Sequence, residues 1–237
     1  MTLLTPELTK TTTDRRQLAA WAGMIGPALF VATFTLEGWF RPGYESRGMF
    51  VSELALGPGG WIQIVNFVVF GALFLVFTRG VAAEFQDGKA SRIGPILLTI
   101  IGVSFLASGI FVMDPVTTPL DQMSWHGKLH TNLFGALVFS LSPISCFVFL
   151  RRFHEDPKWR SLQWWTLAAG MITAAAVVVM SVGPARPPAA PNAFNEWIGL
   201  IQRTFIVTYL SWQFTFALGL RGRAKSQSPN GDRTFPK

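Results

Sequence analysis

The chain has 237 residues, of which 50% are hydrophobic, 14% aromatic and only 14% charged, with a formal net charge of +7. An ordinary soluble domain has about 25% charged residues. Here the charged residues are confined to short segments, and six uncharged stretches lie at 18–36, 54–78, 93–113, 131–150, 161–185 and 204–220. Six such stretches in succession leave no polar face to meet water, so the composition excludes a soluble globular domain.

The length of each stretch suits a helix that crosses a bilayer, which needs roughly 17 to 25 residues. The sequence therefore predicts an all-α integral membrane bundle of six transmembrane helices. Their expected positions are about 18–38, 61–80, 93–113, 119–150, 161–182 and 196–220. Residues 1–17 are expected to form an N-terminal tail, and the polar residues 221–237 a disordered C-terminal tail.

The distribution of Lys and Arg predicts the orientation of this bundle. Thirteen of them lie at 10–16, 79–92, 151–160 and 221–225, whereas the alternate loops carry four, at positions 41, 47, 128 and 186. Because cytoplasmic loops retain positive charge, both termini are expected in the cytoplasm, in a protein of the plasma membrane that contacts membrane lipids. The basic residues form no patch interleaved with aromatics, which argues against nucleic-acid binding. No feature of the sequence identifies a protein partner.

The first external loop is long and polar. It runs from Glu37 to Trp61 and carries two candidate functional residues, Ser52 and Glu53. Its Pro and Gly residues argue against one continuous helix, although the segment MFVSELAL is expected to form a short helix in the membrane interface.

Further polar residues precede the fourth helix. Asp114 follows 21 uncharged residues, which places it at the outer hydrocarbon boundary. The pattern of Thr118, Pro119 and Asp121 is typical of a helix start, with a capping threonine, an early proline and a carboxylate three residues after the cap. The fourth helix is therefore expected to begin near Pro119.

His126 and His130 stand four residues apart in this helix, so their imidazoles are expected to share one face, which continues through Leu133, Leu137, Ser140 and Ile144. Zinc suits two histidines at this spacing when another ligand is present. Asp114, His126 and His130 are the candidate metal ligands. Other carboxylates in reach are Glu53, Asp121 and Glu196. The alternative is a hydrogen-bonded polar cluster or a contact with lipid headgroups.

The last helix brings Gln202 and Arg203 to the same boundary. Arg203 comes 18 residues before Arg221, and it is expected either to extend to the headgroups or to pair with Asp114 or Glu53. Gln202, Arg203 and Glu53 are the candidate binding residues, and Ser52, Asp114, His126 and His130 are the candidate catalytic residues.

Four segments resemble a known family. YESRGMFVSELALGPGG follows the first helix, GIFVMDP closes the third, a histidine-bearing segment opens the fourth, and GLIQR opens the sixth. Together they resemble domain of unknown function family 998. The resemblance implies a bacterial or archaeal multipass membrane protein with no established activity, and it covers about residues 18–220.

A more distant likeness is to membrane hydrolases of the alkaline ceramidase and adiponectin-receptor kind, which hold zinc with histidines that include an HxxxH pair. This chain departs from them, since they usually have seven helices and His154, its third histidine, lies on the opposite side. Two functions thus stay open. The first is a structural or amphiphile-binding membrane component, and the alternative is a metal-dependent hydrolase of lipid-like substrates.

Overall fold

The computed structural model describes residues 5–86, 90–182 and 193–226, with side chains described for 14–86, 92–182 and 196–223. Within these ranges the chain forms long helices and no strand. The helices are α1 (Thr5–Phe40), α2 (Trp61–Glu84), α3 (Ala90–Ile110), α4 (Trp125–Glu155), α5 (Gln163–Val182) and α6 (Ala193–Ser226). α4 contains a seven-residue π-helical segment, Leu129–Gly135. Two 3-10 turns, Val51–Ala55 and Arg160–Leu162, lie in the connections.

Five of the described helices are long and apolar enough to cross a membrane. These segments are Asp14–Phe40, Trp61–Glu84, Arg92–Ile110, Trp125–Glu155 and Arg160–Val182. They correspond to the first five predicted spans, so the chain is an all-helical, multipass membrane protein. α6 is not among them: its Gln202 and Gln213 are polar residues buried within the bundle. The sixth span and the position of the termini stay predictions.

The helices pack as a closed ring. α1 contacts α2, α2 contacts α3, α3 contacts α4, α4 contacts α5, α5 contacts α6, and α6 returns to α1. The inside of the ring is largely aromatic. Phe30 of α1 packs against Phe105 of α3, and Phe74 and Phe77 of α2 pack against Tyr209 and Phe216 of α6. Aromatic pairs at such distances add about 0.5–1.5 kcal/mol each to the burial of their surface. This core fixes the spacing of the helices on which the polar residues lie.

The two ends of the ring differ. At one end, called here the pocket end, lie residues 41–60 and 111–124, which connect α1 to α2 and α3 to α4. At the opposite end, Glu84 of α2 lies 3.3 Å from the Arg16 guanidinium of α1 and 3.9 Å from that of Arg223 in α6. The start of α1 and the end of α6 therefore meet at the end of the bundle opposite the pocket.

Several predicted boundaries differ from the structure. α1 begins at Thr5, so most of the expected tail 1–17 is helical, which Pro6 permits because a proline is tolerated in a first helical turn. α6 continues to Ser226, so the start of the expected disordered tail is helical. In this part of the helix the guanidinium of Arg221 lies 4.1 Å from the centre of the Trp21 ring. Residues 227–237 lie outside the described residues.

The fourth helix begins at Trp125 and not near Pro119. Residues 115–122 form turns, in which the N–H of Gln122 donates to the carbonyl of Pro119 at 3.0 Å. Ser124 is the N-cap, because its hydroxyl accepts from the N–H of Gly127 at 3.0 Å. The N-cap of the fourth helix is therefore Ser124 and not the predicted Thr118.

Candidate functional site

The connection between α1 and α2 is held against α6 by the residues of the GLIQR segment. The side-chain oxygen of Gln202 accepts from the backbone N–H of Val51 at 2.8 Å. Nη1 of Arg203 donates to the carbonyls of Ser46 at 2.7 Å and Met49 at 2.9 Å. A guanidinium serves several acceptors at once because its donors are fixed in one plane. The expected pairing of Arg203 with Asp114 or Glu53 is wrong, since Arg203 binds carbonyl oxygens instead.

Gly199 is what allows this connection to lie so close to α6. A Cβ at position 199 would stand 2.6 Å from the carbonyl oxygen of Ser46 and 2.8 Å from that of Arg47. The backbone N–H of Leu200 donates to the same Arg47 carbonyl at 3.1 Å. The first, second, fourth and fifth residues of GLIQR therefore all contact the loop, and the motif is explained as a docking surface for it.

Within the loop, Val51–Ala55 forms a buried 3-10 turn. The carboxylate of Glu53 accepts from the N–H of Phe50 at 2.8 Å and so caps the start of the turn. Val51 and Leu54 are fully buried against the bundle. The expected short helix is present as this 3-10 turn, and its apolar residues pack into the protein.

Burial raises the pKa of the Glu53 carboxyl, although its hydrogen bond from Phe50 and the nearby charge of Arg203 act in the opposite direction. The same desolvation raises the pKa of Tyr44, whose hydroxyl donates to the carbonyl of Phe50 at 2.9 Å and accepts from Arg203. In both groups burial therefore makes the ionised form less favourable than it is in water.

Asp114 organises the segment that leads into α4. Its Oδ2 accepts from the backbone N–H of Ser124 at 2.8 Å. Gly127 lies directly against it, since a Cβ at position 127 would stand 2.5 Å from the carboxyl carbon of Asp114. The carboxylate therefore ties the end of α3 to the start of α4.

The two helical histidines lie in different environments. His130 is buried, and its Nδ1 lies 2.7 Å from the carbonyl oxygen of Phe111 and 3.2 Å from that of Ser108. Because both partners are acceptors, Nδ1 carries the proton, and Nε2 of the neutral ring is left as an acceptor. His126 is exposed and lies beside the Trp125 ring, with 4.1 Å between centroids.

A π-helical segment begins at Leu129, directly before His130. The helix is wider there, so the usual four-residue spacing no longer keeps the residues after His130 on one face. Leu133 and Ile144, which were expected to continue the histidine face, are exposed. The residues that follow His130 around the site are at 131, 135, 138 and 139.

A cavity of about 460 Å³ lies at the pocket end among the α1–α2 connection and helices α2 to α6. Its surface is mostly apolar. Four candidate residues, Ser52, Glu53, Asp114 and His130, line it together with Gln202. The structure thus brings these five into one cavity, while His126 and Arg203 are not among its lining residues.

The metal hypothesis depends on convergence, which the described residues do not provide. No group of three or more His, Cys, Asp or Glu among the described side chains is placed to hold a metal ion. Asp114 and His130 each have one polar atom bound to the backbone, and His126 does not line the cavity. The described arrangement therefore lends no support to a hydrolase that uses these residues as ligands.

Sequence reasoning missed the apolar walls of the cavity. They include Val138 and Phe139 of α4, Met180 of α5, and Ile198 and Ile206 of α6. On α6 the signal was present, because positions 198, 202 and 206 recur at four-residue spacing and so share a face with Gln202. On α4 it was hidden by the π segment.

These features define a multipass helical membrane protein with a mostly apolar cavity at one end of a six-helix ring. The chain belongs to the family described as protein of unknown function (DUF998), whose family model matches residues 24–219. The match covers all the cavity-lining residues, and it confirms the family resemblance of the sequence motifs. No curated protein and no solved structure matched the chain.

Proposed function

We propose that this protein binds an amphiphile from the membrane in the cavity at its pocket end. The observation that carries the proposal is the composition of the cavity wall. Apolar side chains from α2 to α6 form most of the surface, and a few polar groups, among them Glu53 and His130, accompany them. Small-molecule sites typically have volumes of about 300–1,000 Å³ and combine apolar walls with a few polar groups in this way.

The construction of the site supports a specific pocket. The 3-10 turn carrying Glu53 is anchored to α6 through Gln202 and indirectly through Arg203, and the segment carrying Asp114 is anchored to α4 through Ser124. Polar side chains held by such backbone contacts can orient a ligand without prior rearrangement. The π segment of α4, which contributes residues to the cavity wall, also supports a binding site, because π-helical turns are frequent at functional sites.

The same proposal includes the orientation in the plasma membrane. α6 would be the sixth span, because its 34 residues extend from the loop at the pocket end to Glu84 at the opposite end. Both termini would then lie in the cytoplasm, and the cavity would face the exterior, as the distribution of Lys and Arg predicts. The partners on this account are membrane lipids.

Binding can be tested with tritiated dodecanol and the purified full chain in nanodiscs, after subtraction of the signal from empty nanodiscs. Saturable binding supports the proposal, and the variant Ile206→Phe, which fills the cavity, is expected to weaken it about tenfold, equivalent to about 1.4 kcal/mol. The matched control is Val207→Phe, because Val207 is 41% exposed and does not line the cavity. Absence of saturable binding by folded wild-type protein would contradict the proposed function.

The orientation can be tested with a membrane-impermeant maleimide on intact cells. Asp121→Cys lies on an exposed residue at the pocket end, and Lys158→Cys on an exposed residue at the opposite end. The native Cys146 is buried and serves as the background. We expect labelling of Asp121→Cys alone before lysis. Labelling of Lys158→Cys alone would show that the protein has the opposite orientation.

A further inference from the structure

The charged side chains that line the cavity are both acidic. Glu53 and Asp114 line it, and no Lys or Arg is among its described lining residues. Each carboxylate uses one oxygen for a backbone N–H, that of Phe50 for Glu53 and that of Ser124 for Asp114. Among the described residues, the other oxygen of each carboxylate has no hydrogen-bond partner.

His130 adds a further acceptor. Because its Nδ1–H is directed to the carbonyl of Phe111, Nε2 of the neutral ring has a lone pair and no proton to donate. The neutral donors of the cavity wall are the amide of Gln202, whose oxygen is already bound to Val51, and the hydroxyls of Ser52, Ser108, Thr118 and Thr131. The two carboxylates and the imidazole of His130 therefore favour a ligand that donates hydrogen bonds.

Arg203 is the cation whose charge acts on Glu53, but its donors bind other groups. Arg41 also contacts the loop, where it donates to the carbonyl of Leu54 and to the carboxylate of Glu37. Nη1 of Arg203 binds the carbonyls of Ser46, Met49 and Gly199, and its Nη2 binds the hydroxyl of Tyr44. Its charge reaches Glu53 electrostatically, but for that carboxyl the desolvation is the larger effect. The excess of negative charge in the cavity is therefore incompletely compensated by the protein.

We propose that the amphiphile bound in this cavity carries a cationic amine at its polar end, as a long-chain primary amine does. The inference rests on the proposed function and specifies its ligand class. An alkylammonium ion offers three donors and one positive charge, which complements the free oxygens of Glu53 and Asp114 and Nε2 of His130. An anionic amphiphile of the same length would instead meet two carboxylates of like charge.

The test compares three ligands with the same alkyl chain, dodecylamine, dodecanol and laurate, as competitors of tritiated dodecanol on the full chain in zwitterionic nanodiscs at pH 7. An aliphatic amine with a pKa near that of lysine, about 10.4, is charged at this pH, and laurate is ionised. We expect dodecylamine to compete about tenfold more strongly than dodecanol, and laurate more weakly than either.

Two variants separate the charge of Glu53 from other effects. Glu53→Gln keeps an oxygen to accept from Phe50, so the turn is retained, and the advantage of dodecylamine over dodecanol is expected to fall to less than about threefold. Asp121→Asn removes a charge from an exposed residue outside the cavity and is expected to leave the advantage unchanged.

The outcomes are distinguishable. If tritiated dodecanol does not bind saturably, the proposed function fails together with this inference. If dodecanol binds but laurate competes as well as dodecylamine, the amphiphile pocket stands and the cationic head group is wrong. If the amine is preferred equally by wild type and Glu53→Gln, the assignment of Glu53 as its partner is overturned.

Discussion

The side-chain oxygen of Gln202 accepts a hydrogen bond from the backbone N–H of Val51 at 2.8 Å, and this contact joins residues 151 positions apart in the chain. Val51 opens the 3-10 turn that brings Glu53 to the cavity, and Gln202 itself lines the cavity wall. The position of the polar groups in the pocket therefore depends on how firmly α6 holds the loop.

Gly199→Ala should loosen the loop. A Cβ at position 199 would crowd the backbone carbonyls of Ser46, Met49 and Arg47, which cannot move aside as a flexible side chain would. We expect a loss of about 1–3 kcal/mol, the usual range for overpacking, seen as a lower melting temperature.

Gly222→Ala is the control for this substitution on the same helix, because a Cβ there would meet no atom within 4 Å. Alanine at a helical position should raise or preserve the melting temperature. Equal effects of the two substitutions would show that Gly199 is not a site of close approach.

Arg203→Lys should also be destabilising, although it keeps the positive charge. One ammonium group cannot reproduce the fork that binds the carbonyls of Ser46 and Met49 together with the Tyr44 hydroxyl. Buried acceptors left unpaired cost about 1–3 kcal/mol, and thermal unfolding in detergent would measure the difference. Arg47→Lys, at an exposed position whose guanidinium lies over Trp197, provides the comparison and should change stability little.

The raised pKa of Glu53 predicts a pH-dependent difference between wild type and Glu53→Gln. Because the folded-state pKa lies above the ordinary value of 4.5, this group's favourable contribution is present below pH 4.5 and is lost as the pH rises through the folded-state pKa. Glu53→Gln should therefore gain stability relative to wild type as the pH rises from 4.5 to 8, and paired melting curves across that range would measure the difference. A difference that shrinks with rising pH would have the wrong sign.

His130 and His126 should respond differently to substitution. His130→Ala removes the donor to the carbonyls of Phe111 and Ser108 and leaves a buried void, with an expected loss of about 1–3 kcal/mol. His126→Ala changes an exposed side chain and should stay within about 0.5 kcal/mol of wild type. Comparable losses in both variants would instead indicate that the two imidazoles act on a common ligand.

The helices and the polar end of the bundle were predictable from the sequence, because uncharged length and the position of polar residues are local signals. The sequence indicates Ser52, Glu53, Asp114, His130 and Gln202 as candidate residues, and all five line the cavity. What depended on tertiary contacts was not predictable. Arg203 donates to backbone carbonyls and forms no ion pair with Asp114 or Glu53. Ser124 is the N-cap of α4, at a position fixed by the hydrogen bond from its N–H to Asp114.

The histidine face was the least predictable feature of the site. A four-residue spacing indicates a common face only in a regular α-helix, and the π segment from Leu129 to Gly135 changes that relation after the first turn of α4. His130 lies in the cavity wall, while His126 is exposed.

The most direct test of an amphiphile in the cavity is photolabelling with a dodecyl alcohol that carries a diazirine near the end of its chain, followed by peptide mapping. We expect labelling of cavity-wall residues such as Met180 and Ile206 that excess unlabelled dodecanol suppresses. Labelling confined to exposed apolar residues such as Leu18 and Ile25, unaffected by competitor, would show only contact with bulk lipid and would contradict the account.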